Sequence, residues 1–326
     1  MLNSKELFLP ILIDGKYGFI NKDKDIVVKP KFKYTSNRFN DGYCVITYIK
    51  KIQKESRWVF GYINKKGDTN IFLHLDSASE FNDGMSKINI NGKYGYIDKS
   101  LDIVINPEFE YANDFREGLA PVRINKEWGF IDRNGSIVIK PSYTYASLFF
   151  EELSLIESKS KYGYIDKSGK IIIDPKYDIG SDFSQGLAAV RKNDKWGYID
   201  KYGNVVIDFV FDKANPFHED LAAVCINGKW GYINKNGFIV IDTVFDYVCD
   251  FKEGLARFNY GYSNLKSANL SRKCGVWGFL NKKGNIEIEP VFNSISDFQD
   301  GYAQVVQENN SNYIDKRGKF LLESKR

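Results

Sequence analysis

The sequence predicts an all-β protein built from about nine tandem copies of one small unit. Three observations predict this fold. An aromatic-glycine-aromatic triplet recurs at glycine spacings of 43, 34, 34, 34, 34, 34 and 47 residues. The segments around each triplet are short and rich in β-branched and aromatic residues, and hairpin-type turn sequences separate them. The triplet glycines are Gly18, Gly61, Gly95, Gly129, Gly163, Gly197, Gly231 and Gly278, and a degenerate ninth copy lies at Asn312.

Each unit is predicted to be an antiparallel meander of three strands. In the unit around Gly197, the first strand covers residues 187–191, the second covers 196–200 and the third covers 204–208. A strand of this kind places alternate side chains on opposite faces, so Trp196 and Tyr198 share one face. Ile199 lies on the opposite face, and we therefore predict that at least one of these two sets of side chains is core.

The turns carry the clearest local signals. The sequence Asp-Arg-Asn-Gly at 132–135 and its counterparts predict a type I turn closed by a left-handed glycine. The Asn-Gly pairs at 91–92 and 227–228 predict tight hairpin turns with positive φ at both central residues. A further glycine column is interrupted by Glu152 and Asp220, which favours close packing or a mild bulge there over a required positive φ. Its glycines are Gly42, Gly84, Gly118, Gly186, Gly254 and Gly301.

The candidate core residues also recur with the repeat. One phenylalanine stands three residues before each Gly-Leu-Ala-type segment, and we interpret this column as the plug that buries one meander against the next. Its members are Phe39, Phe81, Phe115, Phe149, Phe183, Phe217, Phe251 and Phe298. The tryptophans of the triplets are assigned to packing in the same way, and they are Trp128, Trp196, Trp230 and Trp277.

The units are predicted to form a single array over residues 1–326, because no Pro, Ser or Gly-rich linker interrupts the repeat. The chain opens on a first-strand segment and ends on a third-strand segment, so no unit is shared between the two ends. This favours an open superhelical stack, or solenoid. The alternative is a closed propeller-like ring.

The segments 195–203 (KWGYIDKYG) and 251–256 (FKEGLA) resemble the WG (KWG) repeat family of bacterial proteins. The resemblance covers almost the entire chain. It implies an all-β array with no general activity, no cofactor and no shared catalytic residue. The chain departs from the family pattern where Tyr or Phe replaces Trp in four units. It also departs where the connector proline is lost, at Leu73, Phe209 and Thr243.

Composition and charge exclude several classes of function. The formal net charge of +4 is small and evenly spread, so it indicates no nucleic-acid partner by itself. No signal peptide or membrane-spanning run is evident, which predicts a cytoplasmic protein that makes no membrane contact. His74 and His218 fall in different repeat columns, so we expect no His-carboxylate pair, no metal site and no cofactor. The protein is predicted not to be an enzyme.

The two longer units suggest where function lies. Both carry most of their extra residues at the first turn, as predicted loops 49–57 and 260–273. Insertions in repeat proteins project from one face, which is often the binding face. We therefore predict a scaffold or adaptor that binds another protein through these loops. The candidate contact residues are Lys50, Lys51, Lys54, Arg57, Tyr260, Tyr262, Lys266, Arg272 and Lys273.

The alternative function is a polysaccharide- or nucleic-acid-binding module that uses exposed aromatics and a basic column at the second turn. The basic column is Lys22, Lys65, Lys99, Arg133, Lys167, Lys201, Lys235, Lys282 and Lys316. An acidic column recurs as well, and it could pair with the basic one or line the opposite edge. It contains Asp41, Asp83, Glu117, Glu151, Glu219, Glu253 and Asp300.

Overall fold

The structure is a computed structural model that describes residues 9–21, 23–36, 38–52, 55–260, 276–308 and 310–321. All of the regular secondary structure in these ranges is β-strand, so the all-β prediction is confirmed. The chain divides into two compact units. Unit 1 contains Met1–Lys159 and Ile165–Lys170, and unit 2 contains Ser160–Tyr164 and Ile171–Arg326.

The strands of the described residues form nine sheets, numbered here in chain order. Sheet 1 contains β1 (Leu9–Ile13), β2 (Lys16–Ile20) and β3 (Ile26–Phe32). Sheet 2 contains β4 (Tyr34–Thr35), β5 (Tyr43–Ile52), β6 (Glu55–Asn64) and β7 (Thr69–Phe72). Sheet 3 contains β8 (Ser77–Asn82), β9 (Met85–Ile90), β10 (Lys93–Asp98) and β11 (Ile103–Phe109). Sheet 4 contains β12 (Tyr111–Ala112), β13 (Ala120–Ile124), β14 (Glu127–Ile131) and β15 (Ile137–Tyr143).

The remaining sheets follow the same order. Sheet 5 contains β16 (Tyr145–Phe150), β17 (Leu153–Ser158), β18 (Lys161–Asp166) and β19 (Ile171–Tyr177). Sheet 6 contains β20 (Ile179–Gly180), β21 (Leu187–Lys192), β22 (Lys195–Asp200) and β23 (Val205–Phe211). Sheet 7 contains β24 (Lys213–Ala214), β25 (Leu221–Ile226), β26 (Lys229–Asn234) and β27 (Ile239–Phe245). Sheet 8 contains β28 (Tyr247–Lys252), β29 (Leu255–Tyr260), β30 (Val276–Asn281) and β31 (Ile286–Phe292), and sheet 9 contains β32 (Ser294–Ile295), β33 (Tyr302–Gln307) and β34 (Asn310–Asp315).

Sheets 2 to 8 each have four antiparallel strands in sequence order, which corrects the predicted three-stranded unit. The additional strand, here the connector strand, comes from the segment between two units and pairs with the first strand of the unit that follows. In sheet 4 it is only two residues long, with Tyr111 opposite Arg123 and Ala112 opposite Val122. A four-stranded antiparallel meander is the blade of a β-propeller. Each of sheets 2 to 8 therefore has the form of a propeller blade, which matches the predicted alternative. This form does not match the three-stranded unit of the predicted solenoid.

The two predicted turn types are confirmed. At the second turn, between second and third strands, Gly135 has φ 82° and the Asp132 carboxylate accepts the Asn134 and Ser136 N–H groups at 2.9 Å. At the first turn, between first and second strands, Asn91 and Gly92 have φ of 52° and 76°. These positive values at both centres match the tight hairpin type.

The interrupted glycine column differs from the prediction. It forms a connector turn between the connector strand and the first strand, and both central residues have positive φ in every copy. Even Glu152 and Asp220 adopt φ of 74° and 70°. The space around a Cβ on Gly118 or Gly254 is open to 4 Å, so close packing is not the cause. The prediction was wrong because a short turn between paired strands requires this backbone whichever residue occupies it.

The triplet glycines meet a different requirement, because the backbone of the third strand passes close to them. This strand is bulged in sheets 1, 3, 4, 6, 7 and 8 but not in sheet 2. A Cβ on Gly95 would lie 2.4 Å from the Ile105 carbonyl oxygen and 2.6 Å from the Pro107 nitrogen. The pairing register shifts at the same place, between Tyr94 opposite Phe109 and Tyr96 opposite Ile105. Only glycine leaves room for this close backbone approach.

The core lies on both faces of the second strands. The third residue of each triplet, such as Tyr198, and the residue after it, such as Ile199, are both fully buried, although they point to opposite faces. Each triplet's third aromatic ring packs on a phenylalanine of the predicted plug column, at centroid distances of 4.6 to 5.7 Å. The Tyr198 hydroxyl also donates a hydrogen bond to the Asn215 carbonyl oxygen at 2.8 Å. The repeated aromatics therefore join neighbouring sheets.

Candidate functional site

The basic and acidic columns meet in ion pairs between neighbouring repeats. Arg133 Nη2 lies 2.8 Å from Asp83 Oδ1, and Lys167 Nζ lies 3.2 Å from Glu117 Oε2. The pairs Lys99 with Asp41, Lys282 with Glu219 and Lys316 with Glu253 span 3.6, 3.1 and 3.1 Å. Lys22 lies outside the described residues. Of the two arrangements that the sequence left open, these contacts match pairing, so each of these basic side chains has an acidic partner within the fold.

The same carboxylates also accept backbone N–H groups from the connector turn of the next repeat. Asp83 accepts the Gly118 N–H at 2.7 Å, and Glu117 accepts the Glu151 and Glu152 N–H groups at 2.7 and 3.0 Å. Each acid thus joins two successive connector turns and a lysine or arginine. We call this arrangement the inter-repeat clasp.

One repeat builds the clasp differently. Gln185 occupies the acidic position, and its side-chain oxygen accepts the Asp220 N–H at 2.8 Å. Lys235 then pairs with the Asp220 carboxylate, at 3.0 Å. The backbone hydrogen bond is therefore kept where the acid is lost, which shows that joining the turns is the shared feature of the column.

The clasp at Glu117 predicts a pH-dependent stability. Burial alone would raise the pKa of the Glu117 carboxyl, but hydrogen bonds from Glu152 N, Lys167 and Glu151 N outweigh it and lower that pKa. A lowered folded-state pKa stabilises the fold above the unfolded pKa of about 4.3 and loses that effect as the pH falls through the folded value. Glu117→Gln is expected to cost about 1 kcal/mol in the free energy of unfolding at neutral pH.

Denaturant titrations at several pH values measure this cost, which should vanish in acid. The control is Glu127→Gln, because Glu127 is exposed on β14. A pH-independent gap between wild type and Glu117→Gln would contradict the assignment.

A second set of acids ties the connectors together beside the phenylalanine plugs. The Asp114 carboxylate accepts hydrogen bonds from Ser79 Oγ at 3.1 Å and Asn82 Nδ2 at 3.2 Å. At the equivalent place in unit 2, His218 Nε2 lies 3.4 Å from Asp250 Oδ2. The expectation that no histidine lies beside a carboxylate was therefore wrong. Its cause is the packing of successive connectors, which the sequence positions did not reveal.

The described thiols lie in protected surroundings. Burial raises the pKa of the Cys44 and Cys249 thiols to about 11, so both stay protonated near neutral pH. No group of three or more His, Cys, Asp or Glu that could hold a metal ion occurs among the described residues. Within the same residues, no helix is long and apolar enough to cross a membrane.

The predicted loop 49–57 is instead an extension of the β5–β6 hairpin. These two strands are each ten residues long and pair from Tyr43 opposite Asn64 to Ile52 opposite Glu55. The ladder continues through the extra residues, with Lys50 opposite Arg57 and Lys51 opposite Ser56. The structure thus corrects residues 49–52 and 55–57 of the predicted loop to paired strands.

The outer described part of the hairpin, residues 49–51 and 56–58, is called here the hairpin tip. Ile49 lies opposite Trp58, and these residues are 45% and 56% exposed. Lys51 is exposed on the same face, whereas Lys50 lies opposite Arg57 on the other face. The predicted contact residues Lys50, Lys51 and Arg57 are therefore divided between the two faces of the hairpin. Ile49 and Trp58 were not among the predicted contact residues, and the tryptophan that follows the basic run was the signal for them.

The other predicted site residues cannot be placed. Lys54, Tyr262, Lys266, Arg272 and Lys273 lie outside the described residues. Of the second predicted loop, only Tyr260 is described, as the last residue of β29.

Tyrosines of the connector strands lie against the triplet aromatics. The Tyr94 and Tyr111 rings stack at 5.9 Å with an interplanar angle of 22°. In unit 2, Tyr247 contacts Trp230 at 5.8 Å and Trp277 at 6.0 Å. Tyr111 is 52% exposed and Tyr247 is 41% exposed. Trp230 is buried and Trp277 is half-buried, while these two connector-strand tyrosines are exposed.

These features define a class of protein: an all-β repeat protein whose recurrent residues build its core and its inter-repeat contacts. The model of the WG containing repeat matches residues 17–48, 60–94, 94–128, 128–162, 162–196, 196–230, 230–263 and 277–310. The chain belongs to this WG repeat family. A comparison with curated proteins gives no match.

Several solved structures are similar to the chain at low identity. Hsv2 of Kluyveromyces lactis is 8% identical, with 85% of this chain and 91% of that chain covered and a TM-score of 0.43. Hsv2 of Kluyveromyces marxianus is 9% identical, with 68% and 86% covered and a TM-score of 0.42. PorZ, a surface component of the type-IX secretion system of Porphyromonas gingivalis, is 8% identical, with 98% and 52% covered and a TM-score of 0.36. Identities and TM-scores this low support no conclusion about function.

Proposed function

We propose that the protein is a non-catalytic scaffold that binds another protein, and that the β5–β6 hairpin tip is a contact surface. The observation that carries this proposal is the exposed pair Ile49 and Trp58 on a hairpin whose two strands, at ten residues each, are longer than the other described strands. The proposal keeps the expected setting of an accessory protein in the bacterial cytoplasm.

The exposed side chains of the hairpin tip contribute little to the stability of the fold. A tryptophan that is 56% exposed leaves much of its apolar surface in water, and burying that surface favours binding. Tryptophan and arginine are also the residues most enriched at binding hot spots. Because paired strands hold the tip, little conformational entropy is lost when a partner binds.

The test is quantitative capture of partners by the tagged chain and by the double variant Ile49→Ser, Trp58→Ser. We expect the variant to lose at least about tenfold of the captured partner, since removing a buried aromatic anchor costs about 2 kcal/mol or more. The control is Ile137→Ser, Val138→Ser, which changes an exposed apolar pair on β15. Equal capture by wild type and the hairpin variant would exclude this surface.

A second candidate, glycan binding, is favoured by one observation. Tyr111 and Tyr247 are exposed and lie next to triplet aromatics, and exposed aromatic rings can stack on sugars. The nucleic-acid part of the alternative has less support, because the clasps pair much of the basic column. Salt-insensitive binding of an oligosaccharide with tryptophan quenching would support the glycan candidate. Unchanged fluorescence would count against it.

A further inference from the structure

Two successive third strands of unit 2 present the same outward pattern, valine-aspartate-valine. Their outward residues are exposed, whereas Ile207 and Phe211 in β23, like Ile241 and Phe245 in β27, are buried. The valines are 43% to 57% exposed. The outward residues are Val206, Asp208 and Val210 in β23 and Val240, Asp242 and Val244 in β27, and we call these six residues the edge patch.

Three other third strands, including β3 with Lys31, carry a charged residue at the position of the second outward valine, whereas β31 has the exposed Val291 there. Where β23 and β27 have Val210 and Val244, β19 has Lys176 and β11 has Glu108. Charged side chains on an edge strand discourage pairing with another chain.

Proline is the second protection that β23 and β27 lack. Five third strands carry a proline immediately before the position of Val210 and Val244. These prolines are Pro30, Pro107, Pro141, Pro175 and Pro290. At that place β23 has Phe209 and β27 has Thr243. Proline discourages strand addition at an edge. β23 and β27 therefore lack this proline as well as the charge, although both keep a bulge.

The neighbouring turns add apolar surface. A Cβ on Gly237 would lie 3.2 Å from Ile207 Cγ2, so the second turn of sheet 7 packs against β23. The next residue, Phe238, is 68% exposed, and Tyr202 on the second turn of sheet 6 is 84% exposed. Large exposed apolar groups that cluster in this way mark interaction surfaces.

The charge of the edge patch selects the kind of occupant. Asp208 and Asp242 are both exposed. Pairing with the same patch on a second copy would bring carboxylates together, which is unfavourable. A basic side chain between two apolar ones would instead match each valine-aspartate-valine row.

We propose that the edge patch binds an extended segment of another protein in which β-branched apolar residues alternate with lysine or arginine. Added strands of this kind gain backbone hydrogen bonds along the edge, while alternate side chains provide specificity. The inference rests on protein binding as the class of function, but it uses a surface of unit 2 and not the hairpin of unit 1.

The test measures fluorescence anisotropy of a labelled eight-residue peptide that alternates valine and lysine. Wild type is expected to bind it at least about tenfold more tightly than a valine-glutamate peptide, because the aspartates attract one and repel the other. The double variant Val210→Lys, Val244→Lys is expected to lose about tenfold or more of that affinity. It should fold, since Lys176 occupies this position in β19. The control Val291→Lys changes an exposed valine on β31 and should bind as wild type does.

Equal binding of the two peptides, or no loss in the double variant, would overturn the proposal. If the double variant fails to fold, Asp208→Asn, Asp242→Asn replaces it and must weaken binding of the valine-lysine peptide. Sedimentation that shows a wild-type dimer, abolished in the double variant, would assign the patch to a second copy and would also overturn the proposal. The hairpin variant Ile49→Ser, Trp58→Ser should bind the peptide as wild type does. Failure of the hairpin proposal can therefore be told apart from failure of the edge-patch proposal.

Discussion

Gly231→Ala is expected to lower the free energy of unfolding by about 3 kcal/mol or more, because severe overpacking and backbone strain fall at the high end of single-residue effects. The added Cβ would lie 2.4 Å from the Ile241 carbonyl oxygen and 2.6 Å from the Asp242 carbonyl oxygen. Both are backbone atoms of the bulged strand β27, so neither can rotate away. Guanidinium chloride unfolding followed by circular dichroism measures the loss.

A second glycine provides a matched control. Gly254 lies in a connector turn at φ 85°, and its Cβ direction is open to 4 Å. Gly254→Ala is expected to cost only about 1 kcal/mol, the usual cost of a left-handed L-residue. Glu152 and Asp220 already occupy equivalent positions. Equal losses at Gly231 and Gly254 would mean that the close approach beneath β27 is not what fixes the triplet glycine.

Phe217→Ala is expected to destabilise the fold by about 3–5 kcal/mol, the range for truncating a buried phenylalanine. Phe217 is fully buried, and its ring centroid lies 4.9 Å from that of Tyr198. It belongs to a cluster that also contains Phe211 and Ile233, so its removal leaves a cavity between sheets 6 and 7. The same denaturant titration measures the effect.

The control for this prediction is Phe238→Ala in the same unit. Phe238 is 68% exposed, so its truncation should change the free energy of unfolding by less than about 0.5 kcal/mol. If Phe217→Ala were as mild as Phe238→Ala, the plug column would not join the sheets.

The sequence was sufficient for features that local chemistry determines. Asp132 and Gly135 specify their turn by a carboxylate acceptor and a left-handed residue, and both requirements can be read from residue types. The burial of Tyr198 and Phe217 follows from apolar residues at fixed offsets in a repeat. Such features need no knowledge of what lies next to the unit.

Features that depend on pairing partners were less predictable. The connector strand Tyr111–Ala112 is too short to show an alternation, so only its partner β13 reveals it. The connector turn was misread because Glu152 rarely adopts positive φ, whereas hairpin pairing imposes φ 74° on it. The proximity of His218 and Asp250 likewise comes from packing between successive connectors.

The surface features were also only partly predictable from the sequence. The extra length around residues 49–57 was visible, but its pairing as a hairpin was not. The loss of proline at Phe209 and Thr243 was visible too. Its significance emerges only when the exposure of Val210 and Val244 places both on open strand edges.

The central claim is that the repeated aromatics form the core of the protein. Hydroxyl-radical footprinting of the native protein, read by mass spectrometry, tests it most directly. Tyr96, Tyr164, Tyr198 and Tyr232 are fully buried and should be protected, whereas Tyr202 and Trp58 should be modified rapidly. Modification of the triplet tyrosines at a rate close to that of Tyr202 would contradict the claim.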